Sequence, residues 1–456
     1  MKMKKSHPLI FGTLILTVTG LISRIIGFFY RIYLSRLFGE EGMGIYQLLS
    51  PVLSLSFSLT AAGYQTAISK LVAEQTAREK HPSFKPLAAG LSISLPLSAL
   101  CNVIVYQLSD PISRMLLREP RTAPMLRILS FSIPLSAVHS CINGHFYGVK
   151  KAGIPAASQL LEQLARVGCV YFLTVRCLAA GQAPSISSAV LGLTVGEFLS
   201  MLLSIIAAWC YFPSDRQVLS RQLSAHPAEI LARPRSQYGP LLSMALPLTA
   251  NRIVLNLLQS IESVSITDKL RLYGYDNVTA LSVYGVLTGM ALPFIFFPNA
   301  LTSSVAILLL PMISENYALG DLSAVKTAVI RTVKYCGLMG LSCMAGFVFL
   351  GNWAGTTFFH SPLAGYFITT LGFICPFLYL DTTLSSILQG LGMAGHIFVM
   401  NVICLSIRLI FIFLAVPKVG ITGYLWGLLV SQLTLGGLYL GCLYRFFKKQ
   451  DSKKAH

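Results

Sequence analysis

Phe131-Ser-Ile-Pro-Leu-Ser-Ala-Val-His-Ser-Cys-Ile-Asn-Gly-His-Phe-Tyr-Gly148 and, 242 residues later, Phe373-Ile-Cys-Pro-Phe-Leu-Tyr-Leu-Asp-Thr-Thr-Leu-Ser-Ser-Ile-Leu-Gln-Gly390 read as two copies of one segment. In a single ungapped register Phe131, Pro134, Gly148, Ala152, Gly153 and Arg166 fall on Phe373, Pro376, Gly390, Ala394, Gly395 and Arg408. A weaker echo pairs Tyr46, Leu49 and Ser50 with Tyr284, Leu287 and Thr288. Each copy lies in a long apolar run. Hydropathy separates twelve such runs, at about 8–33, 46–69, 87–107, 125–148, 154–176, 186–212, 239–266, 280–311, 331–352, 363–389, 396–416 and 421–445, each near the roughly 20 residues that span a bilayer. The repeat pairs runs four and five with runs ten and eleven, so the chain is two halves of six.

A bilayer offers no water to unpaired backbone groups, so runs of this length are expected as helices. The fold class is all-α membrane protein. Because six is even, both halves enter from the same side, a parallel repeat about an axis along the membrane normal. The expected organisation is an N-terminal six-helix lobe (1–212), a polar cytoplasmic linker (213–238) and a C-terminal six-helix lobe with a short basic tail (239–456), the two lobes enclosing a central cavity.

Composition agrees. Of 456 residues, 54% are hydrophobic and only 11% charged, with a mean hydropathy of +0.68, against roughly 25% charged residues in soluble domains. A formal charge of +18 in a soluble chain points to nucleic acid. Here the basic residues concentrate in loops: 21 of the 35 Lys and Arg fall on one side, 8 on the other and 6 within spans. That asymmetry reports topology, with both termini cytoplasmic, and no nucleic-acid partner is expected. The first run lacks a small-residue cleavage site and reads as a retained span. In one outer loop Arg114, Arg118 and Arg121 recur beside Met115, Leu116 and Leu117, either as an interfacial helix or as cations touching headgroups. The ten cysteines contain no C-x-x-C and read as unpaired packing residues.

Charges inside spans ask for a function. An arginine at the bilayer centre costs roughly 2.5 to 3.5 kcal/mol, so it faces a cavity or a partner. Arg24 lies deep in the first run, Arg31 seven residues on shares its face, and Arg252 lies near mid-membrane in the seventh. The guanidinium fork suits phosphate oxygens, which makes Arg24, Arg252 and Arg31 candidate ligands for an anionic substrate. The alternatives are an acidic partner for Arg24 and snorkelling to the interface for Arg31. Arg166 has Glu162 one turn before it, a self-neutralising structural pair. Asp381 and Glu262 either take a proton or sodium ion in a coupling site or serve as counter-ions to an arginine.

Other motifs fail on context. Gly390-Leu-Gly-Met-Ala-Gly395 matches G-x-G-x-x-G but follows a membrane helix, not a strand, and no P-loop or H-E-x-x-H is present. No cofactor or metal is expected beyond a coupling Na+ or H+, and no catalytic residue is assigned.

Ser23-Arg-Ile-Ile-Gly-Phe-Phe-Tyr-Arg-Ile-Tyr-Leu-Ser-Arg-Leu-Phe-Gly39 with Gly42-Met-Gly-Ile-Tyr46, then Tyr284-Gly-Val-Leu-Thr-Gly-Met-Ala-Leu-Pro293, Leu310-Pro-Met-Ile-Ser-Glu315 and Ile387-Leu-Gln-Gly-Leu-Gly392 carry a resemblance along nearly the whole chain. It resembles the multidrug/oligosaccharidyl-lipid/polysaccharide (MOP) exporter superfamily, within it the branch of stage V sporulation protein B and polysaccharide biosynthesis proteins related to lipid II flippases. The resemblance implies two six-helix lobes around a cavity and no enzymatic activity. It implies alternating-access export of a polyprenyl-diphosphate-linked saccharide, a peptidoglycan or polysaccharide precursor, across the cytoplasmic membrane, with a role in spore cortex synthesis. Arg24 falls where flippases of this superfamily carry a cavity arginine. Implied partners are the lipid-linked saccharide, membrane lipids and cell-wall synthesis enzymes, and the chain is read as a monomer. Two departures are that run two carries no charge and run eight no arginine, and that many relatives have fourteen spans. The runner-up function is an ion-coupled exporter of organic cations. A membrane glycosyl transferase or polymerase ranks lower, because the longest outer loop, about 108–124, is too short for a catalytic domain.

Overall fold

The computed structural model describes residues 8–79, 84–211 and 235–454. Every described element is helical, and the elements join into twelve consecutive rods. They are α1 (Pro8–Gln47), α2 (residues 50–79), α3 (Lys85–Gln107), α4 (residues 120–148), α5 (Gly153–Ala179), α6 (Ser187–Tyr211), α7 (Arg235–Tyr273), α8 (residues 277–318), α9 (Leu322–Phe359), α10 (residues 362–390), α11 (Ala394–Leu414) and α12 (Ile421–Lys454). Among the described residues, segments of nine rods are long and apolar enough to cross a bilayer, and the bent rod α4 makes ten. The other two are α2 and α5. Polar side chains dilute their hydropathy: Gln159, Glu162, Gln163 and Arg166 all lie on α5. Exposed faces carry large apolar side chains, among them Phe349 at 83% exposure, Trp209 and Tyr444. Such a surface is incompatible with water and natural in hydrocarbon.

The sequence repeat carries a repeated proline, and each copy interrupts the regular helix. Pro134 has no N–H to offer the carbonyl of Ser130, and its ring crowds that carbonyl. The rod α4 accordingly bends by 40° between Pro120–Ser130 and Ser132–Gly148. Pro376 holds the same place in α10, where Gly372–Ile374 tighten into a 3-10 turn. Further prolines sit inside α3 (Pro96), α7 (Pro240 and Pro247) and α8 (Pro311). Both α2 and α8 contain a π-helical turn, at Ser58–Ala62 and Val286–Ala291. All ten cysteines are free.

The chain forms two compact units, and they depart from the expected division at 1–212 and 239–456 in two stretches. The first unit comprises residues 1–30 and 48–257, the second 31–47 and 258–456. Most of the expected 213–238 linker lies outside the described residues. Close helix crossings explain the exchange. Within the second unit the end of α1 packs on the start of α8: a Cβ added at Gly44 would lie 2.1 Å from the Leu281 carbonyl oxygen, and one at Gly285 would lie 2.3 Å from the Gly44 nitrogen. Gly39, with φ of 69°, breaks the helical geometry just before this crossing. Arg36 then donates to the carbonyls of Phe358 and Thr357, both at 2.8 Å, satisfying the end of α9. Within the first unit the early part of α7 packs on α2: Gly63 leaves room for Thr249, and Asn256 Nδ2 donates to the Ser54 carbonyl at 3.3 Å.

The Arg114–Arg121 stretch does not form one surface helix. It is the short turn Ser109–Pro111, the π-helical turn Ile112–Leu116 and the 3-10 turn Pro120–Thr122. Met115 is 81% exposed, whereas Leu117 is fully buried as a core residue. Arg121 is held by Glu119 and Arg127 by Asp110.

Candidate functional site

The first unit holds a polar cluster within its helix packing. Gly192 and Gly196 let α6 approach α5 so closely that a Cβ at Gly196 would lie 2.7 Å from the Glu162 carbonyl oxygen. That approach sets Glu197 of α6 beside Glu162 of α5. One turn along α5, Arg166 Nη2 donates to Glu162 Oε1 at 2.5 Å, so the expected i,i+4 pair forms, each side chain retaining 19% exposure. From α4, His139 Nε2 shares a 2.7 Å hydrogen bond with Glu197 Oε2. The ligating atoms of His139, Glu162 and Glu197 all lie within 4.8 Å of one another. Asn143 Nδ2 reaches His139 Nδ1 at 3.4 Å, and Ser204 Oγ reaches Asn143 Oδ1 at 3.4 Å. The hydroxyls of Ser158, Ser200 and Ser204 close the interface below, with Ser158 2.6 Å from Ser200 and 3.2 Å from Ser204.

The second unit holds a cluster at corresponding positions. Arg408, the repeat partner of Arg166, has no acid one turn before it on α11. The acid comes from another helix: Glu262 of α7 lies 3.6 Å from Arg408 Nη1 and accepts from the Tyr424 hydroxyl at 2.6 Å. Arg408 Nε donates to Ser431 Oγ at 3.0 Å. Asp381 of α10 is buried, and neither of its carboxylate oxygens has a hydrogen-bond partner. It interacts electrostatically with Arg408, and Gly436 of α12 lies behind it, where a Cβ would stand 3.2 Å from Oδ1. Glu262 and Asp381 are therefore brought to one cation, Arg408.

Arg24 and Arg252 are exposed side chains on apolar helices, and among the described residues neither has an ion-pair or hydrogen-bond partner. Both belong to the first unit. They do not come from opposite compact units, which the sequence halves led one to expect, because the crossings described above draw the early part of α7 into the first. Arg31 is half-buried, belongs to the second unit and is engaged by neighbouring groups.

Sequence reasoning missed His139 and Glu197. The signal for His139 was in the repeat: the 242-residue register sets it on Asp381. Glu197 is one of four acids within the apolar runs, beside Glu162, Glu262 and Asp381, but its meeting with His139 depends on the α5–α6 approach.

The Glu162–Arg166 pair yields a stability prediction. Arg166→Ala should destabilise the purified protein by on the order of 2 to 3 kcal/mol, below the 3–5 typical of a fully buried pair. Adding Glu162→Ala should restore part of the loss by removing the orphaned carboxylate. Thermal unfolding in detergent checks both, and unchanged unfolding in the single variant would contradict a structural role.

Residues 9–317 match the family described as polysaccharide biosynthesis protein. Stage V sporulation protein B of Bacillus subtilis (strain 168) is 30% identical over 416 residues, covering 90% of this chain and 79% of that protein. Lipid II flippase MurJ of the same organism is 22% identical over 424 residues, covering 89% and 77%. Among solved structures, a multidrug resistance MATE family transporter of the MOP superfamily in its inward-facing conformation superposes with a TM-score of 0.69 at 16% identity, covering 95% of this chain and 96% of that one. That likeness shows the fold, and the family match and the 30% identity show the relationship. The chain belongs to the polysaccharide biosynthesis protein family, and it is a multi-pass membrane transporter, not an enzyme.

Proposed function

We propose that the protein is a flippase that moves a polyprenyl-diphosphate-linked saccharide, a peptidoglycan or polysaccharide precursor, across the cytoplasmic membrane by alternating access. The observation that carries this reading is the contrast between two kinds of arginine. Arg166 and Arg408 are matched by acids on packed helices. Arg24 and Arg252 are exposed on apolar helices, and no acid among the described residues pairs with them. Permanent, unmatched cations at membrane depth favour an anionic ligand, and their forks fit a diphosphate. In this reading the first unit carries the diphosphate through Arg24 and Arg252, and Arg31 contributes as the group moves. An exporter of organic cations needs acids facing its pathway, and here Glu162 and Glu262 are engaged by arginines. The names of the two relatives, a stage V sporulation protein and a lipid II flippase, support a lipid-linked substrate and a role in sporulation, and the reading extends to spore cortex synthesis with cell-wall synthesis enzymes as partners.

The experiment is reconstitution of the purified chain into vesicles with candidate lipid-linked sugars, following protection of the headgroup from a membrane-impermeant reagent. Protein-dependent loss of protection for a diphosphate-linked sugar is expected. Movement of organic cations with none of the lipid-linked sugars would overturn the reading.

We place both termini in the cytoplasm, on the 21 to 8 distribution of loop Lys and Arg. Reporter fusions near Asp276 and Pro362 should then read outside, and a cytoplasmic signal at either would refute the orientation.

A further inference from the structure

The His139 cluster has an unbalanced charge count. Arg166 contributes one positive charge, Glu162 and Glu197 two negative ones, and neutral His139 none, which leaves one negative charge among packed helices. Each of the four side chains keeps between 12% and 19% exposure. An uncompensated ion there costs several kcal/mol, so the cluster is electrically neutral only when it holds one more proton. The remaining exposure lets water deliver one.

Hydrogen bonding shows where that proton goes. In the arrangement observed, His139 Nε2 is bonded to the Glu197 carboxylate and Nδ1 faces the Asn143 amide. With Nε2 carrying hydrogen, Nδ1 is a lone pair accepting from Asn143 Nδ2. Asn143 Oδ1 is in turn satisfied by the Ser204 hydroxyl. If Nδ1 gains a proton, a half-turn of the Asn143 amide presents Oδ1 to the new N–H and Nδ2 to Ser204 Oγ, which accepts as readily as it donates. Every partner is kept in both states. The cluster is thus built for two protonation states of one imidazole, the side chain whose unperturbed titration lies nearest neutral pH.

We infer that His139 is a reversible proton-binding site of the first unit, taking one proton from water at Nδ1 and returning it there, with Glu197, Glu162 and Arg166 as its fixed charge set and Asn143 as the group that turns with it. Glu197 Oε2 is engaged by His139 and Glu162 Oε1 by Arg166, so the cluster is held together by its own hydrogen bonds. On α1, Arg24 stands one turn before Gly27, whose added Cβ would meet the Gln163 side chain at 3.1 Å, and on α2 and α3 no charge among the described residues lies at this level of α4. Gly148 meets Ser69 and Val72 of α2, and Gly90 of α3 meets Ile68. Lys70, Glu74 and Lys85 therefore lie near or beyond the end of α4, nine residues past His139. Cys141 and Tyr64 are buried in the apolar core of the unit. The 242-residue register adds an independent observation: the second unit sets another titratable side chain, Asp381, at the His139 position and an arginine at the Arg166 position. A site with two charge states gives a proton gradient a purchase on the first unit.

The test uses the full chain in lipid nanodiscs without substrate, so its outcome is independent of what the protein transports. Infrared difference spectra are recorded on stepping the pH between 8.5 and 5.5. The chain has eight histidines, so the readout is the difference between variants: the unmodified protein should show one imidazole-to-imidazolium contribution that His139→Gln lacks. Glu162→Gln keeps the size and hydrogen bonding of the side chain but balances the charge count without the extra proton, so the imidazolium band at pH 7 should be lost. Asn143→Asp offers only acceptors and should hold the imidazolium band across the whole range. A band pair of undiminished size in His139→Gln, or an unchanged pair in Glu162→Gln, overturns the inference. So does a His139 band that responds to added Na+ or Zn2+ at fixed pH and not to pH. If His139→Gln fails to fold, the isosteric Glu162→Gln decides alone.

Discussion

A double Arg24→Ala, Arg252→Ala variant, reconstituted at the same protein level as the unmodified chain, should insert normally and lose headgroup translocation by roughly a hundredfold or more. Hydrogen bonds to charged groups contribute about 1.5–3 kcal/mol each, and each 1.4 kcal/mol is about tenfold. Two lost arginine contacts then predict a decrease of roughly 10²- to 10⁴-fold if both act on the rate-limiting complex. Insertion should be unaffected, because both side chains are exposed and neither is bonded to another group among the described residues. Lysine at either position should retain part of the activity, as a point charge without the bidentate fork. The measurement is headgroup protection in vesicles as a function of time. Translocation at the unmodified rate in the double alanine variant would remove both residues from the substrate path.

The second large effect is expected at Arg408, and it concerns stability. Arg408→Ala strips the cation from Glu262, 95% of whose surface is buried, and from the nearby Asp381, whose carboxylate has no hydrogen-bond partner. Breaking a buried pair by removing one member costs about 3–5 kcal/mol, enough to lower both abundance and thermal stability. The Tyr424 hydroxyl remains on Glu262 and cannot supply a charge. Removing the acids as well, in Arg408→Met with Glu262→Gln and Asp381→Asn, should recover much of the loss, since the orphaned charges then disappear together. Thermal unfolding of the single and triple variants is the check. Equal destabilisation in both would mean that Arg408 acts through packing and not through its charge.

How much of this was legible beforehand can be followed residue by residue. The Glu162–Arg166 pair was readable because an i,i+4 spacing on a helix fixes neighbours without any knowledge of the fold. The bend of α4 and the 3-10 turn of α10 sit where Pro134 and Pro376 fall in the sequence, because a missing N–H is a local property. Arg408 was different. Its acid, Glu262, lies 146 positions earlier, and no local rule selects one distant carboxylate over another. The His139–Glu197 contact was equally hidden, for it depends on Gly192 and Gly196 letting two helices approach closely.

The boundary between what the sequence by itself determined and what only tertiary structure decided follows the range of the forces involved. The described helical rods, their membrane solvent, the repeat and the bend of α4 all follow from hydropathy and backbone chemistry, which act within a few residues and are written in contiguous sequence. The membership of α1 and α7 in the two compact units was settled at helix crossings. There Gly44 admits the backbone of α8, and Gly63 makes room for Thr249, so residues 31–47 and 239–257 leave the units to which chain order would assign them. Packing also decided which buried charges are neutralised and which are not, because neutralisation needs an oxygen and a nitrogen within a few ångströms in space, and separation along the chain says nothing about that distance.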